Sequence, residues 1–267
     1  MPYVLTNGVR LAYARHGQGP RVLLVMGTAA GGRVWTMHQT PALVKAGYQA
    51  ITFDNRGVPP SDVPPGRYSL TDMVEDTRGI IESLDAAPCP VVGVSLGAVI
   101  VQELAIRHPQ LVRCAVLMAT KSRSDAARRA YGNAFLRMAE AGVSVPKALL
   151  PVVSAFLMLS PGTLDDDQAV SLWLETFELF ADHEQTASGQ YWVDESSDQR
   201  ERLAGIEAPC RVIAFADDLV TPPHLGAEVA DRIPDCDYIE VARAGHYGYL
   251  ERPAEVNSAI VEFLDKH

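Results

Sequence analysis

Short apolar runs that do not alternate with polar residues constrain this chain more than any other feature: Arg21–Met26, Tyr48–Phe53, Pro90–Val94, Cys114–Met118, Cys210–Phe215 and Asp237–Val241. A strand with one wetted face alternates apolar and polar side chains, so runs of this kind belong in a sheet covered on both sides. Most of the intervening segments are of helix length and repeat their apolar residues about every 3.6 positions. After Ser69-Leu70-Thr71-Asp72, which has the form of a capping box, Met73, Thr77, Ile80, Ile81 and Leu84 share one face. In the last such segment Pro253 suits a first helical turn, and Val256, Ala259, Ile260, Phe263 and Leu264 form the stripe. Parallel neighbours need crossover connections, so this order predicts an α/β fold: a mostly parallel, eight-stranded sheet with helices on both faces. Asn7-Gly8, between β-forming residues 2–5 and 9–15, adds an opening antiparallel ribbon.

The alternation fails in one place. From Lys121 to Leu203 the chain offers amphipathic runs (Ala127–Ala139, Lys147–Leu159, Gln168–Phe180) and no buried strand. We therefore expect a core of residues 1–120 and 204–267 and a helical insertion, 121–203, packed as a lid over one end of the sheet. Asp165-Asp166-Asp167 reads as a helix start, where carboxylates meet the positive end of the dipole, because no further ligands are spaced to complete a metal site.

Charge narrows the function classes. With 33 acidic against 23 basic residues the net charge is −10, which opposes attraction to nucleic-acid phosphates and anionic lipid surfaces. Cys89, Cys114, Cys210 and Cys236 are scattered, form no CxxC pair and read as buried thiols in a reducing compartment. The opening Met1-Pro2-Tyr3-Val4 lacks the basic and apolar regions of a secretion signal, and no apolar run is long enough for a membrane helix. The expectation is a cytoplasmic protein, with its oligomeric state open between monomer and homodimer.

Chemistry concentrates in Gly93-Val94-Ser95-Leu96-Gly97, which joins a buried strand to a helix, Leu96–His108, stopped by Pro109. A serine on so sharp a turn projects its hydroxyl away from the backbone, and the flanking glycines remove Cβ atoms that would collide with neighbouring elements. The turn also sets the Leu96 N–H at a helix N-terminus, where an oxyanion is favoured. A serine needs a base. Of the 7 histidines, His246 lies in Ala244-Gly245-His246-Tyr247-Gly248, after the last strand and before the last helix, at the sheet edge that carries Ser95. His16, His38, His108, His183, His224 and His267 lack such a position. An acid should orient the imidazole, and Asp217 and Asp218, on the loop after Cys210–Phe215, both qualify; one of them reads as a turn or capping residue. Glu103 with Arg107 reads as a surface pair, and Arg56 with Asp54 as a second structural pair.

Four segments together resemble the α/β-hydrolase superfamily over nearly the whole chain: Val25-Met26-Gly27-Thr28, Asp54-Asn55-Arg56-Gly57 through Ser61, Gly93–Gly97, and Asp218 with Gly245-His246 through Glu251-Arg252-Pro253. The resemblance implies Ser95 as nucleophile, His246 as base and Asp218 as acid, since Pro222 follows at the family's distance, with Asp217 in reserve. It also implies that the Thr28 and Leu96 N–H groups form the oxyanion hole, with no metal or cofactor. Met26 stands where the family usually has histidine, and Pro59-Pro60 interrupts the usual continuation after Gly57. Members with such a lid bind substrate between lid and sheet edge, which makes Phe135, Phe156, Trp173, Phe177 and Trp192 of the insertion substrate-binding candidates, with Trp35 and Tyr247 added on position. The expected activity is hydrolysis of a small or medium apolar carboxylic ester, thioester or lactone through an acyl-enzyme. Perhydrolases, C–C bond hydrolases, lyases and ligand receptors with a vestigial triad share the same scaffold and stay open.

Overall fold

A computed structural model of the chain describes residues 1–186, 188–193 and 198–267, and the side chains of all of these except 180–186 and 188. The side chain of His183 therefore lies outside the described residues. β1 (Tyr3–Thr6) and β2 (Val9–His16) make the opening ribbon, with Asn7 and Gly8 both at positive φ. Then follow β3 (Arg21–Val25), α1 (Gln39–Lys45), β4 (Gln49–Phe53), α2 (Leu70–Ser83), β5 (Cys89–Val94), α3 (Leu96–Arg107) and β6 (Val112–Met118). Between β6 and the next strand run α4 (Ala126–Glu140), α5 (Leu150–Met158), α6 (Pro161–Leu164) and α7 (Asp167–Thr186). β7 (Cys210–Phe215), α8 (Pro223–Ala230), β8 (Cys236–Val241), α9 (Gly248–Glu251) and α10 (Pro253–Lys266) complete the chain.

The eight strands form one sheet in the order β1-β2-β4-β3-β5-β6-β7-β8. β1, β2 and β4 pair antiparallel and the rest are parallel. Burial on both faces explains the non-alternating runs of β3 to β7, whereas the Asp237–Val241 run, in β8 at the edge of the sheet, is mostly half-buried. Leu23, Val91, Leu117 and Val212 pack under α2 and α3, while Leu24, Val92, Val116 and Ile213 pack under α1 and α10. Each such side chain, fully removed from water, contributes about 2 kcal/mol. α2 begins with the expected capping box: Ser69 accepts from the Asp72 N–H while Asp72 accepts from the Ser69 N–H.

Two charged pairs differ from expectation. Arg56 does not meet Asp54; it makes a two-bond pair with Asp76 of α2, at 2.6 Å. The Asp54 carboxylate turns back instead to accept the Gly32 N–H at 2.7 Å, and burial raises its pKa. Glu103 is not at the surface but 2% exposed, because α3 is central, and its carboxylate holds Arg107 and, at 2.7 Å, Arg202. Burial pushes Glu103 upward, and the two guanidinium groups outweigh it, leaving the carboxyl below its ordinary range.

Asp166 caps α7 by accepting the Gln168 and Ala169 N–H groups, the duty expected of the acidic trio. The thiols of Cys89, Cys114 and Cys210 are buried and unbridged, and Cys236 is half-buried. Burial lifts Cys89 to about 12, so it stays protonated and unreactive. No described helix is long and apolar enough to cross a membrane.

Candidate active site

The parallel strands deliver three loops to one edge of the sheet. After β5 the chain turns directly into α3, and Ser95 takes φ 55° and ψ −123° at the turn. Such a φ is costly for a non-glycine residue, and its surroundings hold it there. The Ser95 N–H is bonded to Met118 O, a Cβ on Gly93 would meet Gly97 O at 2.5 Å, and one on Gly97 would meet Val25 O at 2.2 Å. Both glycines are therefore required by close approach of backbone to backbone. The Leu96 N–H opens α3, where first-turn amides have no partner within the helix.

The loop after β7 carries Asp218, whose carboxylate accepts the Val220 and Thr221 N–H groups and the Thr221 hydroxyl, all at 2.8 Å. The loop after β8 carries His246. Its Nδ1 lies 2.8 Å from Asp218 Oδ2, and its Nε2 lies 3.1 Å from Ser95 Oγ. Asp218 and His246 are 2% and 5% exposed, so the pair is screened from water while Ser95 faces a cavity. Asp217 does not reach the imidazole; its N–H is bonded to Ala244 O. Of the two aspartates left open by the sequence, Asp218 meets the histidine. The other described histidines lie elsewhere: His108 pairs with Glu75, and His224 approaches Asp125.

A cavity of about 590 Å³ opens over Ser95, bordered by Gly27, Thr28, Ala29, His246 and residues of the insertion. Phe135, Trp192 and Tyr247 line it. The remaining candidates do not. Trp35 is fully buried in the sheet core, its ring 5.4 Å from that of Tyr249. Phe156 is 62% exposed on the outer side of α5. Trp173 and Phe177 stack on each other and pack against α5 and Tyr247, filling the space between helices of the insertion. Apolar side chains on a helix first cover the helix's own contacts, and periodicity alone does not say which stripe meets a cavity. The lining is apolar at Phe135, Leu136, Val153 and Leu157, and cationic at Lys121, Arg128 and Arg129, with no carboxylate among the described lining residues. Arg128 is paired with Asp125, and Arg129 donates to Ser124 O.

Two further groups escaped sequence reasoning. Gln190, buried in the insertion, accepts the Ala29 N–H at 2.7 Å and donates to Arg56 O at 2.7 Å, fixing the loop that carries Thr28. Ala29 sits at φ 60°, a second strained position beside Ser95. Met26, at the place of the usual histidine, accepts the Asn55 side-chain N–H through its carbonyl and receives the Tyr249 hydroxyl on its sulfur.

Comparison with known proteins bears on the fold and the family. A family profile of the alpha/beta hydrolase fold matches residues 20–253. The chain belongs to the α/β-hydrolase family. It is 42% identical to a Mycobacterium tuberculosis protein provisionally named non-heme bromoperoxidase BpoC, over 96% of this chain and 98% of that one. The crystal structure of BpoC superposes with a TM-score of 0.92, covering 96% of each chain. A 3-oxoadipate enol-lactonase of Acinetobacter baylyi is 27% identical over 94% of this chain and 92% of its own length. The solved enol-lactonase of Burkholderia xenovorans, 25% identical, superposes with a TM-score of 0.78 over 99% of this chain and all of that one, 100%.

Proposed function

We propose that the protein is a serine hydrolase of carboxylic esters, thioesters or lactones. The single observation that carries this reading is the unbroken chain Asp218–His246–Ser95, at 2.8 and 3.1 Å, beneath a cavity. Asp218 accepts the Nδ1–H and so leaves the Nε2 lone pair facing Ser95 Oγ. As Oγ attacks the acyl carbonyl, its proton passes to Nε2. The carbonyl π-electrons move to oxygen, where the Thr28 and Leu96 N–H groups donate to the developing oxyanion. Collapse of that intermediate returns the proton from His246 to the leaving alkoxide or thiolate and leaves an acyl-serine. Water, deprotonated by the same Nε2, then releases the acid and regenerates Ser95 Oγ–H. No step in this scheme calls for a metal or cofactor.

The acyl part lies against Phe135, Leu136, Val153 and Leu157, and Lys121, Arg128 and Arg129 make the cavity more hospitable to neutral or anionic esters than to cationic ones. The inserted helices then serve as a lid, and the protein acts on small molecules, in the cytoplasm and without nucleic-acid or membrane partners.

A second reading is favoured by the name of the mycobacterial relative. Hydrogen peroxide in place of water would attack the same acyl-serine, giving a peracid and free Ser95, and the peracid would oxidise bromide. The deciding experiment labels the protein with a fluorophosphonate and maps the adduct. Adduct at Ser95, absent in His246→Ala, is expected; no adduct, or full ester hydrolysis by Ser95→Ala, overturns the reading. Peroxide- and acetate-dependent bromination by the wild type that is lost in Ser95→Ala separates the second route.

A further inference from the structure

The loop that carries His246 is held from both sides by the insertion, and one carboxylate does most of the holding. Glu251 Oε2 accepts the Gly245 N–H at 2.7 Å. Its other oxygen, Oε1, accepts the Ser160 N–H at 3.0 Å, the Ser160 hydroxyl at 2.8 Å and the Thr163 hydroxyl at 2.6 Å. On the far side of His246, the Tyr247 N–H donates to Met158 O at 2.9 Å. The approach is close enough that a Cβ on Gly245 would sit 2.5 Å from the carbonyl carbon of Leu159. The amides before and after the imidazole-bearing residue are thus bonded, directly or through Glu251, to the corner between α5 and α6.

From this arrangement we infer that Glu251 is a positioning residue: it fixes the His246 loop against the insertion so that the imidazole stays in line between Asp218 and Ser95. The inference rests on the serine-hydrolase reading for its kinetic consequence, though not for its geometric one. Every group facing Glu251 in these bonds is a donor, so both carboxylate oxygens must accept. Glutamine is nearly isosteric yet offers one acceptor and one N–H₂. Whichever way it turns, its N–H₂ faces either the Gly245 N–H or the Ser160 N–H, neither of which can accept, and that half of the link is weakened even if the Ser160 and Thr163 hydroxyls rotate to accept.

The test compares wild type, Glu251→Gln and the double variant Ser160→Ala/Thr163→Val, which weakens only the insertion side. A displacement of about 1 Å at a catalytic group costs up to roughly 100-fold in rate. Glu251→Gln is expected to lower kcat for a short-chain aryl ester about 10- to 100-fold with KM within about twofold, and to shift or broaden the downfield proton resonance of the His246 Nδ1–H. The double variant should do the same more weakly. A role confined to tethering the insertion would raise KM and leave both kcat and the resonance unchanged, and that result overturns the inference, as does wild-type behaviour in both variants. If Glu251→Gln fails to fold, the double variant decides by the same two readouts. A wild type without acyl-transfer activity whose Nδ1–H resonance still changes on substitution defeats the hydrolase reading alone. An active wild type with an unchanged resonance and unchanged kcat in the variants defeats the positioning role alone.

Discussion

From Leu96 to Ala105 every residue of α3 is buried, whereas none of the 15 residues of α4 is. Both helices border the cavity over Ser95: α3 grows out of Ser95 itself, and α4 supplies Phe135, Leu136 and Gly132 to the cavity wall. The difference teaches where this fold spends its rigidity. Ser95, proposed above as the nucleophile, leads into a helix buried from Leu96 to Ala105, which holds its strained turn in place. The wall proposed to meet substrate is built on a helix whose packing demands little of its sequence, so on that proposal acyl-group choice can change without disturbing the chemistry.

The contrast is most easily broken at Gly97. A methyl group there meets the Val25 and Met26 carbonyl oxygens at 2.2 and 2.8 Å, both backbone atoms that cannot swing aside. Gly97→Ala should destabilise the fold by about 1–3 kcal/mol, seen as a lower urea midpoint. It should also abolish ester hydrolysis in the fraction that stays folded, because Val25 leads into the loop that carries Thr28. A stable, active Gly97→Ala protein would show that the turn is not constrained as described.

Glu103 tests the same rigidity through charge. Replacing it with glutamine leaves Arg107 and Arg202 without their buried partner and should cost about 2 kcal/mol. Its folded-state pKa lies below the ordinary value, so its stabilisation is complete above the ordinary carboxylate range and is lost as pH falls through the lowered folded value. Urea titrations across the acid range should therefore show wild type losing more stability on acidification than Glu103→Gln. Parallel curves would mean that the buried pair adds nothing.

Most of the sheet was legible in the sequence because burial on both faces removes the alternation of a half-wetted strand, and the runs are too short for helices. β7 falls on Cys210–Phe215 as read, and β3, β4, β5 and β8 deviate by a residue or so at their ends. The meeting of Ser95 and His246 at one sheet edge was legible because a strand-to-helix glycine turn and a loop after the last strand are local features. What stayed hidden is non-local. Nothing near Gln190 in sequence announces a bond to Ala29, 161 positions away, nor does Glu251 announce Ser160, 91 positions away. Trp35 and Phe135 look alike as isolated aromatics, and only the packing of α1, α9 and α10 around one, and the open side of α4 behind the other, separates core from cavity.

At the cavity wall the comparison can be sharpened with Phe135. Its ring stacks on Tyr191 at 5.7 Å and faces the cavity, so Phe135→Ala enlarges the acyl space without leaving a hole in the sheet core. Relative kcat/KM for longer over shorter acyl chains should rise about 10-fold, the scale of one or two methylenes in an apolar site, with little loss of thermal stability. An unchanged chain-length profile would place the acyl group elsewhere.

The smallest effect should come from Gly132, and its sign matters more than its size. This glycine lies inside α4, where a Cβ would meet nothing within 4 Å. Alanine there removes unfolded-chain freedom and favours the helix by about 0.5–1 kcal/mol, so Gly132→Ala should raise the melting temperature by a few degrees at most. The added methyl also borders the cavity, and bulky acyl chains should be turned over slightly less well than by wild type. The same Gly→Ala change would then be crippling in the packed helix and mildly stabilising in the open one. Were Gly132→Ala destabilising instead, α4 would have to be packed against something, and the freedom assigned to the cavity wall would be withdrawn.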